Sequence, residues 1–187
     1  ATYVGSGALD VGITGRDLLL DARMPGAREI EQLGFGGSTF RFAGPPGRFH
    51  DISDLEGLRV ATAYPGLVDG FLDEQGVAVD LVPLDGAVES AVQLGVADAV
   101  ADVVSTGTTL RQAGLEIFGP VLLESEAVLI GAPVEADGTE TLLRRLRGVM
   151  VARRYVLIDY DLPADLVDTA VALAPGIESP TISPLRD

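Results

Sequence analysis

The chain of 187 residues contains no cysteine and no tryptophan, one histidine and two methionines. Lysine is also missing, so all 13 basic residues are arginines. Without cysteine there can be no disulfide framework, no thiolate metal site and no thiol nucleophile, and cytoplasmic residence is the default expectation. Apolar runs such as Ala127–Ile130 and Val149–Ala152 fall far short of the roughly 20 residues that cross a bilayer, so no membrane span is expected. The first residues, Ala1-Thr2-Tyr3-Val4-Gly5, have neither the basic start nor the apolar run of a secretory signal. They read as a chain that starts in mid-pattern and has lost its true beginning. Positive charge is scarce as well. A formal charge of −15 and the absence of a basic run argue against general nucleic-acid binding. A protein this acidic that handles phosphates needs local compensation from backbone N–H groups, a few arginines or metal ions.

What is present is apolar enough, at 47 % of residues, to bury a core in one domain or two small lobes. Residues 9–14 read as a buried strand and 16–21 as the start of a helix, followed by strands near 30–35 and 38–42. Gly44-Pro45-Pro46-Gly47 is the densest Pro/Gly cluster and marks an expected lobe boundary. Beyond it strands at 59–63, 77–84 and 99–104 alternate with helices at 65–75 and 87–94, the pattern of parallel βαβ units. A helix near 108–113, a strand at 127–131 and a helix from 139 to about 154 come next. Residues 155–160 are strand-like, 163–173 helical and 178–185 extended. The expectation is an α/β fold with a two-lobe, periplasmic-binding-protein-like (type II) architecture and an inserted doubly wound lobe. Residues 1–46 and 125–187 would form the first, discontinuous lobe, and 47–124 the second. A ligand cleft is expected between them.

The stretch Asp98–Leu110 carries the chemistry. A β-branched strand with Asp102 near its end runs into Ser105-Thr106-Gly107-Thr108-Thr109-Leu110, which opens a helix. Backbone N–H groups at a helix start are unpaired and can cradle a phosphate; Gly107 lets the backbone approach, and the hydroxyls add donors. Asp102 could then accept hydrogen bonds from ribose hydroxyls. A plain N-cap is the bland alternative for an isolated Thr-Gly-Thr. His50, in a Gly/Pro-rich loop, is not expected to take part.

The same stretch, together with Ile13-Thr14-Gly15-Arg16-Asp17, Ala61-Thr62-Ala63-Tyr64-Pro65, Gly86-Ala87-Val88-Glu89 and Glu178-Ser179-Pro180-Thr181-Ile182, resembles the ATP phosphoribosyltransferase family in order and spacing across essentially the whole chain. The later segments look more like the long form of that family. The resemblance implies transfer of the phosphoribosyl group of 5-phosphoribosyl 1-diphosphate (PRPP) to N1 of ATP, the first step of histidine biosynthesis, with Mg²⁺. By resemblance, Ser105, Thr106, Gly107, Thr108, Thr109 and Leu110 bind the 5-phosphate, and Asp102 and Glu89 serve catalysis at the ribose or the hydrated metal. Thr14, Gly15, Arg16 and Asp17 would line the ATP pocket, with Tyr64 near the interlobe cleft. The resemblance does not specify protein ligands to the metal. It further implies a dimer or hexamer, and inhibition by histidine where a C-terminal regulatory domain, expected to be absent here, is present. Where the family usually has Asn after Tyr-Pro and basic residues soon after, this chain has Gly66, Asp69 and Gly70. A two-lobe small-molecule binding protein and a catalytically weakened regulatory subunit remain the competing readings.

Overall fold

Two alternating sequence patterns build two sheets. The computed structural model describes residues 1–133 and 136–185. Their elements in order are helix α1 (Thr2–Gly5), strand β1 (Val11–Gly15), α2 (Arg16–Asp21), β2 (Arg28–Gln32), β3 (Ser38–Gly44), a 3-10 turn at Ile52–Leu55, β4 (Arg59–Thr62), α3 (Pro65–Gln75), β5 (Asp80–Pro83), α4 (Ser90–Gln93), β6 (Ala99–Val104), α5 (Thr108–Gln112), β7 (Glu116–Ser125), β8 (Ala127–Gly131), α6 (Thr139–Arg154), a 3-10 turn at Ala164–Leu166, and α7 (Val167–Leu173). Contacts divide the chain into two units, Ala1–Met150 and Val151–Asp187.

Both sheets lie in the first unit. The smaller has the order β1-β8-β2, antiparallel throughout; the larger has the order β5-β4-β6-β3-β7. In the larger sheet β4 runs parallel to β5 and β6, as the βαβ pattern requires, while β3 is antiparallel to β6 and β7. Alternation along the strands sends side chains to both faces. Phe40, Phe42, Ala99 and Ala101 pack with Val68 and Leu72 of α3 and with Phe118. Their neighbours Ala43, Val100 and Val104 pack with Val88, Ala91 and Leu110. Phe42 is fully buried, its ring 6.0 Å from Phe118 and 6.1 Å from Phe71. Full burial of such a side chain is worth about 1.5–3 kcal/mol. On the smaller sheet, Val128 and Ile130 face Val4 and Leu19, while Leu129 packs with Leu33 and Leu143.

Local signals set the element ends. Pro65 opens α3 at a position whose N–H has no intrahelical partner, and Gly76 closes it at φ 70°. Left-handed residues Gly86 (φ 90°) and Ala87 (φ 51°) delay α4, expected from residue 87, until Ser90. Strand β7 has no counterpart in the sequence reading, because Gly119-Pro120 interrupts its apolar pattern. The strand tolerates them because it pairs with β3 alone at the sheet edge, through a ladder with two register shifts. Strand β3 joins this five-stranded sheet, whereas the boundary drawn at 46/47 grouped it with the first lobe.

Among the described residues of the second unit, α7 is the one α-helix that begins there. Residues 155–160, expected as a strand, form none: they have no ladder partner among the described residues, and Leu157 is 96 % exposed. No helix among the described residues is long and apolar enough to cross a membrane.

Candidate functional site

The chain crosses between the two sheets twice, at residues 33–37 and 125–127, and the crossings are hydrogen-bonded to each other. Leu33 N–H donates to the Ala127 carbonyl at 3.0 Å, and Ala127 N–H to the Phe35 carbonyl at 2.9 Å. A cleft of about 490 Å³ opens beside them, lined from the smaller-sheet side by Arg16 and from the larger by Thr39, Val104 and Ser105.

From the larger sheet, β6 delivers Asp102 and then the loop. Asp102 lies in the ladder opposite Arg41, is partly buried, and accepts the Val103 N–H at 2.7 Å. Burial pushes its carboxyl above the ordinary carboxylate range, the Val103 N–H opposes this, and the charge of Glu89 adds to the rise. Glu89 precedes α4 and is partly buried. Gly107 is buried and left-handed, at φ 70°, which glycine adopts without the penalty other residues meet. Around it Ser105, Thr106, Thr108 and Thr109 are exposed, while Leu110 is buried as the anchor of the turn. The hydroxyls of Thr106 and Thr108 lie 3.0 Å apart. Arg111, not singled out from the sequence, clamps the loop: its Nη2 donates to the Thr106 carbonyl at 2.9 Å and to Thr108 Oγ1 at 3.4 Å.

From the smaller sheet, Thr14 lies in the β1 ladder opposite Val128. Gly15 ends the strand, where a β-carbon would collide with Asp17 Oδ1. Asp17 is 7 % exposed; its N–H donates to Ser125 Oγ at 3.1 Å and its Oδ1 accepts the Leu18 N–H at 2.8 Å. The Arg16 guanidinium is committed elsewhere. It forks onto Glu29 with two bonds of 2.9 Å, donates to the Glu124 carbonyl at 3.1 Å and reaches Glu126 at 3.5 Å. Glu126 in turn accepts the Gly34 N–H at 2.8 Å, so one cation ties both crossings. Its hydrogen bond to Glu29 raises the Arg16 pKa and lowers that of Glu29.

Tyr64, just ahead of α3, joins the two sides. Its ring meets Phe40 edge to face at 5.2 Å. Burial pushes its phenol up, and the charges of Asp17, Asp102 and Asp21 push it further. A phenol held protonated near such carboxylates is a hydrogen-bond donor. Asp21 was not anticipated; nothing in its immediate sequence marks it. His50 lies apart, its N–H bonded to Asp54 at 2.8 Å. Among the described residues no group of three or more His, Asp or Glu side chains is arranged to hold a metal ion.

Comparison with known proteins completes the picture. Residues 1–148 match the sequence model of the family described as ATP phosphoribosyltransferase, and residues 152–187 match that of its C-terminal domain. The ATP phosphoribosyltransferase of Arthrobacter sp. (strain FB24) is 61 % identical over the whole of this chain and 68 % of its own length. Among solved structures, the ATP phosphoribosyl transferase (HisG:HisZ) complex from Thermotoga maritima matches 81 % of this chain and 75 % of its own, with 26 % identity and a TM-score of 0.71. The GluR0 ligand-binding core from Nostoc punctiforme, at 20 % identity, shares the fold over 79 % of this chain and 70 % of its own, with a TM-score of 0.56. The architecture is thus the two-lobed type of the periplasmic binding proteins. The chain belongs to the ATP phosphoribosyltransferase family.

Proposed function

We propose that the cleft between the two sheets is where this chain performs its family's transfer, and that the observation carrying the assignment is the loop after β6. Gly107 at φ 70° exposes the N–H groups of the first turn of α5, and Ser105–Leu110 cradle the 5-phosphate of PRPP. Asp102, behind the loop, accepts hydrogen bonds from the ribose hydroxyls. Glu89 acts on the same side of the sugar through its charge on Asp102. Across the cleft, Thr14, Gly15, Arg16 and Asp17 form the wall of the ATP pocket. Arg16 contributes its side-chain stem, since its guanidinium is engaged by Glu29 and Glu126. Tyr64 donates its phenol proton between the two substrates. The lobes divide at residues 33–37 and 125–127.

In the reaction, the N1 lone pair of adenine forms the bond to the anomeric carbon, and the carbon–oxygen bond to pyrophosphate breaks with its electron pair leaving on oxygen. The side chains need only align the substrates and exclude water. Mg²⁺ would be held chiefly by the diphosphate and water, its usual partners in phosphate sites, with Asp102 and Glu89 facing its hydration shell. When bound, it neutralises the leaving group. The missing cysteine fits a cytoplasmic enzyme, and a homo-oligomer is the expected assembly.

Calorimetric titration with PRPP and Mg²⁺ tests the assignment, run beside Gly107→Val. Micromolar to millimolar binding that disappears in the variant supports the loop as the cradle. Equal binding by both proteins refutes it.

A further inference from the structure

We infer that Asp21 and Arg23 are positioning residues. They clasp the first turns of α3 and hold Tyr64 in the cleft, so that lobe closure is set from the C-terminal end of α2. The inference rests on the assignment of Tyr64 to the substrate cleft.

Helix α2 belongs to the smaller sheet and α3 to the larger, yet the two meet directly. Tyr64, the residue before α3, supplies no side-chain cap to its own helix. The cap comes from the other lobe, where Asp21 Oδ1 accepts the Leu67 N–H at 3.1 Å. A carboxylate at that helix end is also favoured by the helix dipole. Two residues further along, Arg23 Nη1 pairs with Asp69 Oδ2 at 3.1 Å.

Two glycines one helical turn apart make the approach possible. A β-carbon on Gly66 would collide with the main-chain carbonyl oxygen of Asp21, and one on Gly70 would lie 2.9 Å from Arg23 Nη2. Position 66 therefore has no room for a side chain while α2 stays where it is. Arg23 itself sits at φ 45°, a left-handed conformation that non-glycine residues adopt at a cost and that surrounding structure must hold in place. Gly66, Asp69 and Gly70 all lie on this contact. The three act as one arrangement: the cation stands just after α2 as Arg23, its counter-charge stands on α3 as Asp69, and glycine clears the space between. Tyr64 adjoins the clasp and feels the charge of Asp21.

Because the chain has no cysteine, spin labels on cysteines introduced at the exposed positions Ala8 and Glu74 report the lobe separation of the whole protein without interference. Wild type should give one narrow distance distribution. Arg23→Asp and Asp69→Arg should each shift it to longer distances and weaken ATP binding about two- to fivefold, the range of one exposed ion pair. The double variant, with the charges exchanged, should restore both readouts, and Gly66→Ala should lengthen the distance without any change of charge. The distance measurement needs no ligand, so it succeeds or fails apart from the site assignment. Unchanged distances in the single variants, or a double variant no better than its parents, would overturn the clasp. Distances that move while ATP affinity stays constant would overturn the positioning role and, with it, the place of Tyr64 in the cleft.

Discussion

Replacing Arg16 by Met separates two roles that one residue could have. If Arg16 is the tie between the crossings, its loss leaves Glu29 and Glu126 without their cation. The side chains of Arg16 and Glu29 are 18 % and 29 % exposed, so solvent replaces the fork only in part. Hydrogen bonds to charged groups are worth about 1.5–3 kcal/mol, and urea unfolding at pH 7 should show a loss of about 2–3 kcal/mol. The loss should depend on pH in a defined direction. The Arg16 hydrogen bond holds the Glu29 pKa below its ordinary 4.5. Its contribution is therefore complete above 4.5 and is lost as pH falls through the folded value. The stability gap between wild type and Arg16→Met should be full at pH 7 and narrow once the pH drops below about 4.5. Arg16→Lys keeps the charge without the planar fork and should recover only part of the gap. A variant as stable as wild type at pH 7 that binds ATP more than tenfold more weakly would refute the reasoning and make Arg16 a ligand to ATP.

Gly107 and Gly114 both sit at φ 70°, but a β-carbon on Gly107 meets Arg111 Nη1 at 3.3 Å and Ile117 at 3.4 Å, while one on Gly114 meets nothing within 4 Å. Alanine at either should cost about 1–2 kcal/mol of stability for the left-handed backbone, and only Gly107→Ala should also reduce PRPP affinity in calorimetry, by about tenfold or more. Phe42→Ala, which empties a fully buried ring site, should destabilise by about 3–5 kcal/mol in urea without changing the slope of the transition. The acid limb of kcat/KM against pH, if set by Asp102, should lie above the ordinary 3.8 because burial raises that group, and Glu89→Gln should move it lower by removing a repelling charge.

Most of the fold could be read from periodicity. Ala99–Val104 and Ala127–Gly131 are β-branched runs whose pattern and length admit a strand. Pro65 and Gly76 bracket α3 as local chemistry requires. What could not be read is long-range. β7 is a strand because β3 offers it an edge, and no local pattern predicts a pairing across some eighty residues. At the site, Asp102 and Ser105–Leu110 stand out because their chemistry is contiguous. Asp21, Arg23 and Arg111 do not, since each works through a partner distant in sequence or across a turn. Arg16 illustrates the opposite difficulty. Beside Gly15 and Asp17 it reads as a pocket residue, and only Glu29, Glu124 and Glu126 show where its charge goes.

The handling of charge ties these observations together. A chain of net charge −15 has few cations to give a polyphosphate, and around this cleft they are already engaged. Arg16 is held by two glutamates, Arg23 by Asp69, and Arg111 by the Thr106 carbonyl. The charges of carboxylates from both lobes, Asp17, Asp102 and Asp21, reach Tyr64. Side-chain cations bound in this way build the shape of the site, and under the proposed assignment phosphate recognition falls to oriented N–H groups and hydroxyls. Such donors are fixed by the backbone and need no reorganisation when charge develops on the leaving pyrophosphate. They also carry no net charge to offset nearby carboxylates, so the proposed assignment predicts that the diphosphate arrives with its own counter-ion. Under the proposed assignment, Mg²⁺ carried by the diphosphate would supply the positive charge that the engaged arginines do not.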